Sequence, residues 1–240
     1  MYFPYFRGKQ NELITVRENA ELLAGAGFTP IIEPVKESLG GLKRALAAVV
    51  DAGGNAILIV NPHHGDHVED TDEIESLFLD ELNEQLSISA GILLTDEVTL
   101  DEIAGMYEKH AGRTVTLIHA GFTEARALSE KIGQTPIDIQ HVFLEEHCGK
   151  LYRKHFKGAK RILLRDGFKK QKKNSAYPSM ELFSDLHVIY AEEGMDGFGD
   201  FLIVGNDYST SGGPAYAVAI HLTFIDPDND EQMYIHHFFL

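Results

Sequence analysis

Thr29-Pro-Ile-Ile-Glu-Pro-Val35 decides how this chain is read: a short β-branched run ending on a carboxylate, with Pro34 holding Glu33 extended. Seven further runs repeat the scheme, at Ala56–Asn61, Gly91–Glu97, Val115–His119, Ile139–Glu145, Arg161–Asp166, Asp200–Asn206 and Ala217–His221. Amphipathic segments separate most of them. Leu42, Leu46, Val49 and Val50 recur at helical spacing ahead of Gly53-Gly54, Thr71–Leu86 carries a broad apolar face, and Thr99-Leu-Asp-Glu102 is a capping-box pattern. Further helices are expected from Thr123 to Lys131, over Gly149–Gly158 and over Ser179–Glu193. Strands alternating with helices at this spacing predict parallel pairing through crossovers. Eight of them predict a single α/β domain over residues 1–240, an irregular (β/α)8 TIM-like barrel. No strand is followed by a Gly-rich dinucleotide fingerprint, which disfavours an open doubly wound sheet. Asp207–Tyr216 is too short for a crossover helix, and Pro227-Asp-Asn-Asp230 reads as a turn. A C-terminal β-hairpin of Tyr216–Ile225 and Met233–Phe239 is therefore expected beside an irregular closure.

In a parallel barrel, function gathers at the C-terminal ends of the strands. The strand tips converge, on this reading, into a catalytic set of Glu33, His119, Asp166 and His221, offering carboxylates and imidazoles for acid–base or metal-assisted hydrolysis. Arg7, Lys9, Asn61 and Arg165 would hold an anionic ligand. So would Ser209, Ser211 and Gly212 of Ser209-Thr-Ser-Gly-Gly213, where barrel enzymes often cradle phosphate. Asn61-Pro-His-His-Gly-Asp-His67 packs imidazoles and a carboxylate into one loop. It partly resembles the metal signature of metallo-β-lactamase-type hydrolases, with His64, Asp66 and His67 in matching places and Pro62 where the first histidine belongs. Those three are the candidate ligands for a divalent metal. The alternative is a polar loop that happens to be rich in histidine.

Bulk properties limit the partners. A net charge of −16 disfavours a general nucleic-acid binder. Eleven of the 21 Lys and Arg nevertheless fall between Lys150 and Lys173, so nucleic acid, if bound, would be held there. The apolar runs are too short to span a membrane, and the first residues lack the order of a secretory signal. The lone Cys148 allows no intrachain disulfide, and a cytoplasmic setting is expected. Beside His147, without a third orienting group, that thiol reads as passive rather than nucleophilic.

Several stretches in order, Tyr5-Phe-Arg-Gly-Lys-Gln-Asn-Glu-Leu13, Pro30-Ile-Ile-Glu-Pro-Val35, Val60-Asn-Pro62, Gly197-Phe-Gly-Asp-Phe201, Gly212-Gly-Pro-Ala215, Ala219-Ile-His-Leu222 and His237-Phe238, resemble the bacterial and phage beta-protein family. They span nearly the whole chain. The resemblance implies a barrel-like fold, a setting in phage defence and a small nuclease-like protein as partner. It draws attention to Arg7, Lys9, Glu12, Glu33, Asn61, Asp200 and His221; relatives run past the pair matching His237-Phe238 into a further helix, and with the sequence stopping at Leu240 that closing helix is expected to be absent here. Two functions follow: a barrel enzyme hydrolysing a phosphate-bearing small molecule or nucleotide, or a non-catalytic sensor or partner-binding subunit.

Overall fold

Eight parallel strands form the barrel in the computed structural model, which describes residues 1–133, 138–209 and 219–239. They are β1 (Tyr5–Phe6), β2 (Ile31–Ile32), β3 (Ala56–Ile59), β4 (Ile88–Leu94), β5 (Val115–His119), β6 (Ile139–Leu144), β7 (Lys160–Leu164) and β9 (Gly197–Gly199), each paired with the next. The ring closes where the amides of Phe3 and Tyr5 donate to the carbonyls of Phe198 and Asp200, at 2.8 and 2.9 Å. Seven of the eight expected runs thus supply or directly flank barrel strands. The eighth does not. Ala219–His221 begins β10 (Ala219–Asp226) in a separate antiparallel sheet, and the first place in the barrel goes to β1.

That second sheet has the order β10, β11 (Gln232–Phe239), β8 (Met180–Ser184). The expected hairpin is present, turning through 227–231. Its third strand replaces the first part of the helix expected over Ser179–Glu193, of which only Leu186–Ile189 is helical. The remaining expected helices are found, at Gly40–Asp51, Asp72–Ser76 continuing into a wider turn, Leu100–Lys109, Ala125–Ile132 and Lys150–Arg153. Thr99 and Glu102 make the reciprocal cap that their spacing predicts. Two helices between β1 and β2, Gln10–Glu18 and Ala20–Gly25, complete the outer layer.

Alternation along the strands divides the core in two. Tyr5, Ile31, Ile57, Ile59, Leu93, Ile118, Val142 and Ile162 fill the barrel interior, while Phe6, Ile32, Leu58, Ile92, Leu117, Phe143 and Leu163 face the helices. Each fully buried aliphatic side chain contributes about 1.5–3 kcal/mol. The same phase fixes which strand-end residues can enter the mouth. Among the described residues no helix is long and apolar enough to cross a membrane.

Candidate functional site at the barrel mouth

Glu33 lies one step beyond β2, in phase with the inward-facing Ile31, and is fully buried. A carboxylate there must be fully partnered, and it is. Its Oε2 accepts from the Tyr5 hydroxyl at 2.9 Å and pairs with the Arg7 guanidinium. Its Oε1 accepts from the backbone N–H groups of His63 and His64, at 2.9 and 3.0 Å, and lies 3.1 Å from His64 Nδ1. Burial alone would raise the Glu33 pKa. The His64 hydrogen bond and the Arg7 charge outweigh it and bring the group down to about 2. Glu33 is thus held ionised.

The loop Asn61–His67 delivers His64 to this carboxylate because Gly65 turns at a φ of +91°, pressed against Val35. A Cβ at that position would lie 2.3 Å from the Val35 carbonyl oxygen. His64 Nδ1 lies 3.1 Å from Glu33 Oε1 and 3.3 Å from the Arg7 guanidinium, and in the tautomer with the proton on Nδ1 it donates to the ionised Glu33, while Nε2 has no hydrogen-bond partner among the described residues. The cavity it borders has a volume of about 280 Å³ and is lined by Tyr5, Arg7, His63, His64, Leu93, Thr95, Asp96, Ala120, Leu144, His147 and Asn206.

Arg7 continues inward alternation from Tyr5 and is itself buried. One guanidinium nitrogen faces Glu33 and the other donates to the Asn206 carbonyl at 2.7 Å and to its side-chain oxygen. The Asn206 amide in turn donates to Asp166 Oδ2 at 2.7 Å, and Asp166 Oδ1 accepts from the Phe168 amide at 2.9 Å. Glu33 and Asp166, two members of the expected catalytic set, are therefore joined through Arg7 and Asn206. Asp166 serves as a clasp for two loop amides.

The other two members lie elsewhere. His119 ends β5 in phase with Val115 and Leu117, so it faces the helices rather than the mouth. It is enclosed by Phe143, Phe156 and Tyr152, with Nδ1 2.7 Å from the Tyr152 hydroxyl and Nε2 3.0 Å from His141 Nδ1. Burial holds both imidazoles neutral, His141 down to about 3 and His119 well below its ordinary value. His221 sits on β10, its Nδ1 2.6 Å from His237 Nδ1 and its ring against Phe168 and Tyr177. Neither side chain lines the mouth cavity.

The expected anion ligands separate in the same way. Lys9 Nζ is 5.0 Å over the Tyr208 ring and 3.4 Å from the Ser209 carbonyl, at the exposed rim. Asn61 gives both side-chain atoms to the Leu93 backbone, at 2.9 and 2.8 Å, and clamps β3 to β4. Arg165 faces outward, paired with Glu145 and Asp185. Ser211 and Gly212 lie outside the described residues.

The expected metal ligands do not converge. Asp66 Oδ2 accepts from the Glu37 amide at 2.8 Å, and His67 is buried with Nε2 3.0 Å from the Lys36 carbonyl. His64 turns to Glu33 instead. Among the described residues no three His, Cys, Asp or Glu side chains form a group able to hold a metal ion. Cys148 is buried against the His119 carbonyl at 3.3 Å, and burial pushes its thiol up to about 12, which agrees with a passive role.

Sequence reading overlooked Tyr5 and His147 as mouth residues and gave His64 to a metal rather than to Glu33. Inward alternation from Arg7 would have found Tyr5. Comparison with protein-family models, with curated proteins and with solved structures finds no match to this chain.

Proposed function

We propose that the chain is a barrel enzyme that hydrolyses a small phosphate-bearing molecule at the mouth cavity by general acid–base catalysis centred on His64. The observation that carries this reading is the Glu33–His64 contact of 3.1 Å: a buried, ionised carboxylate engages one ring nitrogen of a histidine that lines the cavity. Nε2 takes a proton from water, the water oxygen bonds to phosphorus, the ester P–O bond breaks, and His64 returns the proton to the leaving oxygen. Glu33 orients and stabilises the imidazolium. Arg7, committed to Glu33 and Asn206, keeps that carboxylate charged. The substrate class rests on the donors available: His63 and His147 line the cavity, Lys9 stands at the rim, and Asp96 is the one carboxylate among the lining residues. No step is assigned to a metal.

The test is hydrolysis of a panel of phosphomonoesters, phosphodiesters and nucleotides by the purified chain. His64→Gln and Glu33→Gln are each expected to lower kcat by roughly 10²–10⁴-fold with folding retained. Full activity in His64→Gln, or no turnover of any member of the panel by the natural chain, overturns the reading.

A second reading, a non-catalytic subunit that docks a nuclease-like partner, is favoured by one different observation. The outer face of the small sheet carries Ile220, Leu222, Phe224, Met180, Leu182 and Phe238, all exposed, beside Tyr234 and His236, with Asp226 at its turn end. Contiguous apolar surface of that kind marks interaction sites. Leu222→Lys with Phe224→Lys separates the two readings: it abolishes partner capture if the chain is a docking subunit and leaves hydrolysis unchanged if it is an enzyme. The basic stretch favours nucleic acid little, because Lys150, Arg153, Arg165, Lys169 and Lys170 already face acidic side chains.

A further inference from the structure

A second cavity, of about 590 Å³, lies outside the barrel wall where β9 meets the N-terminal segment, under the inner face of the small sheet. It shares no lining residue with the mouth. Its walls are mainly apolar, with Tyr2, Phe28 and Phe198 on the barrel side and Phe183, Ile225 and Met233 from the small sheet.

Asp200 is the one carboxylate among the lining residues, which also include Met1 and His187. Asp200 follows β9 in phase with the outward-facing Phe198, and its carboxylate is more than nine-tenths buried. Oδ1 accepts from the Tyr2 hydroxyl and from the Leu202 amide, both at 2.8 Å. Oδ2 accepts no hydrogen bond from the described residues, and no Lys or Arg among them pairs with this carboxylate. The contrast with Glu33 is direct: that carboxylate has a guanidinium and four further donors, whereas Asp200 has two neutral donors. Burial consequently raises its pKa. A buried carboxylate without counter-charge is costly unless something else supplies the charge.

We propose that this cavity is a binding site for an apolar organic amine, whose ammonium group pairs with Asp200 Oδ2 and whose hydrocarbon body lies between the aromatic walls. Three features select that class. The volume suits a small organic molecule. The aromatic rings accept both a hydrocarbon chain and, through their negative faces, a cation. The lone carboxylate discriminates against anions and leaves a neutral analogue one charge-assisted hydrogen bond short. A substrate of the mouth site would be anionic, so the two sites take ligands of opposite sign.

The experiment is calorimetric titration of the full chain with 4-phenylbutylamine and, separately, with 4-phenylbutanol, which differ only in the head group. The amine is expected to bind at least about tenfold more tightly than the alcohol. Asp200→Asn keeps an oxygen for Tyr2 and Leu202 and is expected to bring the two affinities within about twofold. Ile225→Trp, which fills the cavity from the sheet side without touching Asp200, is expected to weaken both ligands together. His64→Gln, in the mouth, should leave the preference intact. Equal affinity for amine and alcohol in the natural chain, no binding of the amine, or a preference that survives in folded Asp200→Asn overturns the proposal. If Asp200→Asn fails to fold, the decision passes to Ile225→Trp, and unchanged amine binding there overturns it as well.

Discussion

Arg7 and Asn206, 199 residues apart in sequence, are tied by two hydrogen bonds from a single guanidinium nitrogen. The other terminal nitrogen of the same group holds Glu33. One side chain thereby fixes the first strand end, the second strand end and the loop after the last strand around one mouth. Replacing Arg7 by Met strands an ionised carboxylate in the interior, and a loss of about 3–5 kcal/mol is expected in urea unfolding. Adding Glu33→Leu to Arg7→Met should recover most of that loss without restoring any activity. Recovery of activity in the double variant would show that Glu33 does not orient His64.

Acid should destabilise the protein in two stages. His119 and His141 are held neutral by burial, so their folded pKa values lie below the ordinary 6.5, His141 at about 3. Between those limits this pair lets the unfolded chain bind up to two more protons than the folded one, a contribution of up to about 2.7 kcal/mol per pH unit lost as pH falls, to which His110 and His221, also lowered by burial, add. Glu33, whose folded pKa is also depressed, adds its own loss only below about pH 4.5 and down to about 2. Replacing His119 by Phe, which keeps the ring among Phe143, Phe156 and Tyr152, should lower the slope between pH 6 and 5 by up to about 1.4 kcal/mol per pH unit. An unchanged slope would mean that these imidazoles are not the protons being counted.

Closure of the barrel leaves no room at Gly199. A Cβ there would lie 2.0 Å from the Phe3 carbonyl oxygen and 2.4 Å from Leu164 Cδ2. Gly199→Ala must therefore push β9 away from β1, and a destabilisation of about 1–3 kcal/mol or more is expected. The measurement is hydrogen exchange at the Phe3 and Tyr5 amides, which should lose protection before those of β4 and β5. Gly105→Ala, at a position where a Cβ meets nothing within 4 Å, serves as the control.

The exposed face of the small sheet predicts concentration-dependent association. β10 is an edge strand of eight residues, and Ile220-His-Leu-Thr-Phe-Ile225 within it carries neither charge nor proline. Light scattering on a dilution series should show larger species at high concentration. Leu222→Lys with Phe224→Lys should remove them, and persistence of those species in the double variant would place the contact elsewhere.

Seven of the eight barrel strands and their alternation with helices were legible because each is marked by a hydrophobic run of five to seven residues. Glu33 was legible too, since a carboxylate at the end of a buried run must be answered by something. What misled was phase. The last polar residue of a run was taken to face the mouth, yet a one-residue difference turns it to the opposite side of the wall. Glu33 falls in step with Ile31, whereas His119 falls in step with Leu117 and so joins the outer layer. β1 was missed because Tyr5–Phe6 offers two residues of pattern between Pro4 and Arg7, and its pairing is settled by β2 and β9 rather than by itself. β8 was missed for the opposite reason. Met180-Glu-Leu-Phe-Ser184 runs without a break into Asp185-Leu-His-Val-Ile189, and apolar spacing over the whole stretch suits a helix. Tertiary pairing with β11 decided otherwise.

The seam between β1 and β9 also has a consequence for how the chain comes off the ribosome. Phe3 and Tyr5 emerge first, yet the carbonyls that receive their amides belong to Phe198 and Asp200, close to two hundred residues later. Every other strand of the ring can settle on its predecessor during synthesis, but this join waits until Asp200 has been made, and loops of that span close slowly. Until then the incomplete ring presents two unpaired strand edges at a stage when most of the barrel strands have already been made.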